Sequence, residues 1–552
     1  MVVHLIFLPA MFWLLHRAYK LFTNYRAARS FGIPIVVLPV SFEEIWWMPL
    51  RPLFSWVQQL PFGLGDWYIY TNMGWPTEDR ARTSNRLGEN FVLCSPASNI
   101  VATCYPPAVQ TIFGDHKNWP QPPSQAGLFA FYGQNVSSTN GVEWQRHRKI
   151  TSSAFNENSF REVWNETTIR AKNLNFEGES ERSLGRIRST FDVLAMQVLA
   201  NVGFGQEMPL TTVPPGHRQS LMESLGFILQ HILLTAVFNS LKAPDYLLPD
   251  TLRKLKISVA ELRLYMEESV LRYMQASKEQ SENSQKTSLL GAMVKANESE
   301  KQQLHKSTGR PSYLTESELY GNLFVFNLAG YETTASSLTF ALSYLAAYPE
   351  TQDWVFEELE EYYNHRSDDA SYDLVYSKLV RCLAIMYETL RLASPAPMLV
   401  RSPTTPMELP ITTASGTRSV VIKPGTTVGG HFYGGHLSSR WGTDAEVFNP
   451  QRFVSTSQSG EEALVVPEGP MYSPWIFGTR VCPGKKFSQV EFVALVAQIL
   501  SEWKIEVVID GQSDLIAKEK LLKVLDDKYF NVSTHLRRPE AARVKFVKRG
   551  IK

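Results

Sequence analysis

The chain has 552 residues, 44% of them hydrophobic and 20% charged, with a formal net charge of +1. That length and apolar share allow a large buried core, and the near-neutral balance argues against nucleic-acid binding. Four scattered cysteines (Cys94, Cys104, Cys382 and Cys482) contain no C-x-x-C pair, which argues against a disulfide framework and against a structural zinc site.

The first element is an apolar run over residues 2–15, broken only by His4 and Pro9 and followed by His16, Arg17, Lys20, Arg26 and Arg29. At 1.5 Å per residue it covers roughly 21 Å, short of the ~30 Å hydrocarbon core of a bilayer. Ala18, Tyr19, Leu21 and Phe22 make up the difference if the basic side chains snorkel. Charge after the apolar run, rather than before it, argues against a cleaved signal. The expectation is a single-pass N-terminal anchor over 1–22, with the catalytic part, 23–552, on the cytosolic side by the positive-inside rule.

Residues 31–115 carry short apolar runs punctuated by Pro and Gly, such as Phe91-Val92-Leu93-Cys94, which suit a small sheet region. Residues 140–275 read mostly as helices, and the polar stretch 275–310 as a solvated helix end plus a mobile connector. Thr315 with Glu318 forms a capping box, and Leu314 with Leu319 is placed for a hydrophobic staple. From there an apolar helix runs to Ala347, where Tyr348-Pro349 stops it; its length of about 48 Å crosses a whole domain and demands burial. Past residue 400, the stretches 419–426 and 504–508 look like strands and turns. The predicted fold class is mainly α with a minor β region.

Near the C-terminus, Pro474-Trp475-Ile476-Phe477-Gly478-Thr479-Arg480-Val481-Cys482-Pro483-Gly484 presents one cysteine in a loop pinned by Gly478 and Gly484. A helical pattern starts at Lys485, so the helix dipole and free N–H groups are expected to favour a thiolate. In the middle of the long helix, Ala329-Gly330-Tyr331-Glu332-Thr333-Thr334 places glycine, a carboxylate and two threonines where local rules disfavour them, as functional sites do. Glu388 and Arg391, three apart on one helix, can pair, and Arg452 follows in a proline-fixed turn. Trp144 and Arg148 share a helix face at i,i+4, and Arg401 follows Pro395-Ala396-Pro397.

The cysteine loop resembles the haem-binding signature of the cytochrome P-450 superfamily, aromatic-x-x-Gly-x-Arg-x-Cys-x-Gly, with Trp475 where phenylalanine is usual. The other segments resemble the family's motifs in order and spacing. The resemblance implies the P-450 fold, with a long central helix over a haem b, and Cys482 as axial thiolate and metal ligand. It also implies Trp475, Gly478 and Arg480 in the haem loop, and Trp144, Arg148 and Arg401 on the propionates. Gly330 would let the helix loosen over the haem. Thr333, next to Thr334, would hydrogen-bond the oxygen being activated, and Glu332 would relay protons from solvent. Glu388, Arg391 and Arg452 would form a structural charge triad behind the haem loop.

The implied activity is insertion of one oxygen atom from O2 into a lipophilic small molecule, by analogy with fungal, microsomal members that decorate terpenoids, polyketides or alkaloids. The pocket wall is expected from 119–135, 220–240, 323–327 and 397–400. No Gly-rich nicotinamide or flavin fingerprint occurs in the sequence, so the electrons are expected from a separate NADPH-dependent flavoprotein reductase, with a cytochrome b-type protein as a further donor. Arg146, His147, Lys149, Lys485 and Lys486 could steer such an acidic partner. The anchor then implies the endoplasmic-reticulum membrane. Two other readings remain open at this point: a haem–thiolate isomerase or dehydratase that does not use O2, and a non-enzymatic membrane-anchored helical protein that keeps Cys482 in its core.

Overall fold

The computed structural model describes the chain apart from residues 1, 45, 124–126, 175, 177–180, 204, 206–209, 239–243, 245, 247, 280–287, 305–311, 364–369, 414–415, 468, 510 and 550–552. The central element is the helix Glu316–Ala347. Thr315 Oγ1 accepts from the Glu318 N–H while the Glu318 carboxylate accepts from the Thr315 N–H, so both orphan donors at the helix start are satisfied. Leu314 and Leu319 are both buried beside this cap. The helix ends at Tyr348, and Pro349, which lacks an N–H, opens the next helix, Pro349–Tyr362.

Around the central helix pack Leu184–Val198, Val380–Leu392 and Asp514–Asp526, and Lys485–Glu502 lies against Glu157–Lys172. Their inward faces make one continuous apolar core. A smaller sheet stands to one side, built from β1 (Ile35–Val37), β2 (Asn90–Cys94), β3 (Asn99–Thr103), β4 (Met398–Arg401) and β5 (Thr427–His431), in the order β1-β2-β3-β5-β4. β2, β3 and β5 are buried throughout, covered on two faces by separate apolar clusters. Strand β4 carries Arg401 from the segment after the Glu388 helix back into this sheet, which is how that arginine reaches the interior. Trp503–Val507 and Gly416–Ile422 are also strands.

Two expectations are corrected. Within the polar stretch 275–310, Leu289–Leu304 is a helix, not a connector, because Leu289, Leu290 and Met293 find a buried face; 280–287 and 305–311 lie outside the described residues. The N-terminal helix does not stop at residue 22 but runs Val2–Arg29 and joins the folded body. Arg17 pairs with Glu44, Asn24 Nδ2 donates to the Ser95 carbonyl at 2.8 Å, and Ala28 is fully buried. Among the described residues no helix is long and apolar enough to cross a membrane.

Candidate active site

The loop before Lys485–Glu502 is tied by its backbone. The Cys482 N–H donates to the Trp475 carbonyl at 3.1 Å, the Val481 N–H to Gly478 at 3.2 Å, and the Lys485 N–H to Cys482 at 3.3 Å. Gly478 sits at φ +74°, and a Cβ there would lie 2.9 Å from the Phe113 carbonyl oxygen, so glycine is required on both counts. Gly484 needs no such freedom, since its φ is −81°. The second left-handed residue in the loop is instead Ile476, at φ +57°. Strain at a branched residue beside the cysteine is the kind that surrounding contacts must hold in place. Trp475 supports the turn, its Nε1 donating to Ser488 Oγ at 3.2 Å.

The Cys482 side chain can be reached by solvent yet is ringed by protein. Burial raises its thiol pKa, although the Gly484 N–H and Arg148 pull the other way. The N–H at the helix start thus favours the thiolate, as expected from sequence, but works against burial. A coordinated cation would supply the balance, because a ligating thiol is deprotonated outright.

Three arginines from distant parts of the chain converge beside this loop. Arg401 is buried, donates among the described residues only to the Val400 carbonyl, and lies 4.8 Å from the Phe113 ring centroid. Burial, with the charge of Arg480, pushes its pKa down to about 9. Arg480 donates to neutral oxygens alone, of Asn140, Gln121, Val136 and Thr139, and stacks 4.9 Å over Trp144. Its pKa falls to about 10 through burial and Arg148. Arg148, on the helix Gly141–Ser152, is also lowered by burial, with Cys482 acting in the opposite sense. Among the described residues none of the three meets a carboxylate. Sequence reading missed a fourth member, His116: its Nδ1 meets Thr479 Oγ1 at 2.7 Å, its ring lies 4.9 Å from Trp144, and its buried Nε2 has no partner among the described residues. No motif marks it, because only the fold brings it here.

In the central helix, Ala329 is exposed and Gly330 and Thr333 are half-buried, while their flanks are almost wholly buried. Such exposure mid-core means that this turn borders an internal cavity. The helix is continuous through Gly330. A Cβ at Gly330 would lie 3.1 Å from Leu199, so this glycine permits close packing on the π-helical turn Leu199–Gly203. Thr333 Oγ1 donates to the Ala329 carbonyl at 2.8 Å and Thr334 Oγ1 to Gly330 at 2.9 Å. Glu332 is buried and anchored: Arg188 lies at 3.0 Å, His535 Nε2 at 2.9 Å, and Ser533 Oγ donates at 2.8 Å. Burial alone would raise the Glu332 pKa, but His535 and Arg188 hold it down, at about 2. Arg188, Ser533 and His535 were not legible as site residues, lying more than a hundred positions away in sequence.

Behind the loop, Arg391 forms a bidentate pair with Glu388, at 2.7 and 2.8 Å, both fully buried. Arg452 Nε donates to Glu388 Oε1 at 3.3 Å and its Nη2 to Asp444 at 2.8 Å. Arg391 also donates to the carbonyls of His436 and Val447, so the group ties three segments together. The proposed docking charges are mostly spent internally. Arg146 pairs with Glu143 and Glu318, His147 is buried against Asn322, and Lys149 pairs with Glu300. Of the expected pocket wall, Phe324 is fully buried in the core against Phe131 and Tyr132, while Phe131, Phe326 and Leu399 are only partly buried.

A solvent-reachable thiol in a glycine-pinned loop, a cationic cluster that meets no carboxylate among the described residues, and a long helix with an exposed turn in mid-core are the features of a haem–thiolate protein class. A model of the cytochrome P450 family matches residues 72–530, and the chain belongs to that family as a P450 monooxygenase. Similar proteins include cytochrome P450 monooxygenase 124 of Postia placenta, 28% identical over 76% of this chain and 78% of that relative. Cytochrome P450 monooxygenase ORF6 of Penicillium roqueforti is 25% identical over 92% of both chains. The phomenoic acid biosynthesis cluster cytochrome P450 monooxygenase of Leptosphaeria maculans is 26% identical over 90% of both. The family implies a haem, and the residues present fit one: buried guanidiniums and the orphaned His116 nitrogen call for an anionic group such as a pair of propionates.

Proposed function

We propose that this enzyme hydroxylates, or oxidises in a related way, a lipophilic small molecule of secondary metabolism such as a terpenoid, polyketide or alkaloid. The observation that carries the catalytic reading is the convergence of Arg148, Arg401 and Arg480 beside Cys482 without a carboxylate partner among the described residues. In this reading Cys482 would ligate the haem iron as a thiolate, and Arg401, Arg480, Arg148, Trp144 and His116 would hold the propionates. When bound, the haem supplies the iron that activates O2 and inserts one atom into the substrate.

The remaining chemistry is proton delivery and exclusion of water. Thr333 faces the cavity and can turn its hydroxyl from the Ala329 carbonyl toward a group bound there. Glu332, held as a carboxylate by Arg188, is a conduit rather than a proton store. Nε2 of His535, whose side chain is 23% exposed, lies 2.9 Å from Glu332 Oε1, within reach for passing a proton to it. The partly buried Phe131, Phe326 and Leu399 favour an apolar substrate. The electrons would come from a membrane-bound NADPH-dependent flavoprotein reductase. Residues 1–22 would hold the enzyme on the endoplasmic-reticulum membrane, as the exposed Phe12, Leu14 and Leu15 support.

The test is the ferrous–carbonyl spectrum of the wild type and of Cys482→Ala. The wild type is expected to give the strongly red-shifted Soret band of thiolate-ligated haem and the variant to lose it, together with turnover. Persistence of that band in the variant would remove Cys482 from the site.

A further inference from the structure

Arg480 meets no carboxylate among the described residues, yet its guanidinium is held from several sides. Its acceptors are Asn140 Oδ1 at 3.0 Å, Gln121 Oε1 at 3.1 Å, and the carbonyls of Thr139 and Val136 at 3.0 and 3.3 Å. Neutral acceptors fix the direction of a cation and leave its charge for an incoming anion. Three of the four belong to the stretch 136–140. Asn140 stands at the N-cap position of the helix Gly141–Ser152 without capping it; its Oδ1 accepts instead from the Gln121 N–H at 3.1 Å and from Arg480. A residue that gives up its local bond for distant ones is under a constraint other than helix stability.

The stretch is closed on itself. Asn135, fully buried, accepts at Oδ1 from the Ser137 and Ser138 N–H groups, both at 3.0 Å, and its carbonyl accepts from Thr139 Oγ1 at 2.8 Å. These bonds make residues 135–139 one compact turn. The chain leading into it lies directly on the central helix: a Cβ at Gly321 would sit 2.3 Å from the Gly133 carbonyl oxygen, and one at Gly133 would sit 1.9 Å from that of Ser317. The turn itself is tied to the helix by a side chain, for the Val136 N–H donates to Asn322 Oδ1 at 2.9 Å.

Asn322 is fully buried, and its amide has one orientation. Oδ1 must face the Val136 N–H, which only donates, and Nδ2 must face the Glu318 carbonyl at 2.7 Å, which only accepts. The second Nδ2 hydrogen then points at His147 Nδ1, 2.8 Å away, so His147 carries its proton on Nε2. That nitrogen lies 3.5 Å from Glu318 Oε1. Burial pushes the His147 pKa down, while Glu318, against its own burial, is held at about 2 by Arg146 and Thr315; at pH 7 the ring is neutral and the carboxylate charged. Both hydrogens and the oxygen of the Asn322 amide are committed, and the bond made by the oxygen is the one that reaches the Arg480 turn.

We propose that Asn322 is a positioning residue that aims Arg480 at the anionic group bound beside Cys482, acting through Val136 and the turn 135–139. The inference rests on the reading of Arg148, Arg401 and Arg480 as the propionate site, and the test separates the two. Two of the four acceptors of Arg480, the Val136 and Thr139 carbonyls, lie on the turn that Asn322 holds. The other two, on Gln121 and Asn140, are braced against each other, since Asn140 Nδ2 donates to the Gln121 carbonyl at 3.0 Å. Loss of the Asn322 amide therefore loosens Arg480 without releasing it.

Four full-length, haem-loaded proteins are compared: the wild type, Asn322→Leu, Arg480→Met and the combination. Haem transfer to excess apomyoglobin and the ferric–ferrous potential are measured for each. Asn322→Leu should speed haem loss roughly ten-fold, less than Arg480→Met does, but less than about two-fold once Arg480 is gone. It should also lower the potential, because a cation drawn away from the propionates leaves more negative charge near the iron, and again only where Arg480 is present. Equal acceleration in both backgrounds is a defect of the core and overturns the proposal, as does a wild-type rate and potential in Asn322→Leu. An Arg480→Met protein that holds haem like the wild type sinks the propionate reading itself, and this proposal with it. If Asn322→Leu does not fold, Asn322→Ala, too short to reach Val136, goes through the same cycle and is judged by the same two measurements.

Discussion

Arg401→Met is expected to move two properties in opposite directions. In the protein alone, Arg401 is buried beside Arg480 with no carboxylate partner among the described residues, and its pKa falls from 12.5 to about 9. At roughly 1.4 kcal/mol per tenfold, that is a charge penalty of up to about 5 kcal/mol, carried in full at every pH below 9. A propionate about 4 Å away at an effective dielectric near 20 would return about 4 kcal/mol. The substitution removes both terms and keeps most of the side-chain volume against Phe113. Haem retention should therefore weaken by on the order of 2–4 kcal/mol, roughly 30- to 1,000-fold, while the haem-free protein unfolds at an equal or higher temperature. Haem transfer to excess apomyoglobin measures the first and thermal unfolding of the haem-free protein the second. Wild-type haem loss, or a less stable haem-free protein with unchanged haem retention, would refute the assignment of Arg401 to the propionates.

Three further outcomes are expected. Thr333→Ala should keep haem and substrate binding but release more peroxide per product, read as NADPH consumed against product formed; unchanged coupling in the Thr333→Ala, Thr334→Ala double variant would remove this threonine pair from proton delivery. Glu491 lies buried on Lys485–Glu502 with Oε1 unpartnered among the described residues, and burial pushes its pKa up to about 8. Because the folded state holds that proton, its contribution is fully present below about 4.5 and is lost as pH rises through 8, so Glu491→Gln should gain a few kcal/mol over wild type near pH 8 and almost nothing near pH 4. A pH-independent difference in denaturant midpoint would contradict this. Gly478→Ala combines a left-handed φ with a Cβ 2.9 Å from a carbonyl oxygen, so it should cost about 2–4 kcal/mol of stability and disturb the thiolate-type spectrum; full retention of both would mean that the loop can shift to accommodate it.

Local features were legible in the residues because their physics is local. A threonine with a glutamate three positions on caps a helix wherever it lies, and Pro349 ends one by lacking an N–H; both stand where the sequence places them. The pairing of Glu388 with Arg391 follows likewise from helical spacing. Gly484 was misread for a related reason: glycine allows a left-handed turn, a loosened helix or a close approach, and only the neighbouring structure decides which it serves. Gly330 packs closely on Leu199, and in the cysteine loop the left-handed angles fall on Ile476 and Gly478 rather than on Gly484.

What sequence alone could not decide is where long-range charge meets. Arg148, Arg401 and Arg480 come from a helix, a sheet strand and a loop, and each is an ordinary cation until the strand β4 and the cysteine loop pack together and remove their water. Glu332 reads as a free relay in the sequence, and the hairpin carrying Ser533 and His535, with Arg188 from another helix, makes it a pinned carboxylate. Composition and spacing determine which chemical groups are available and which helices and turns hold them. The tertiary structure decides which of those groups lose solvent and which partners they keep, and in a low-dielectric interior that choice sets their charge and therefore their chemistry.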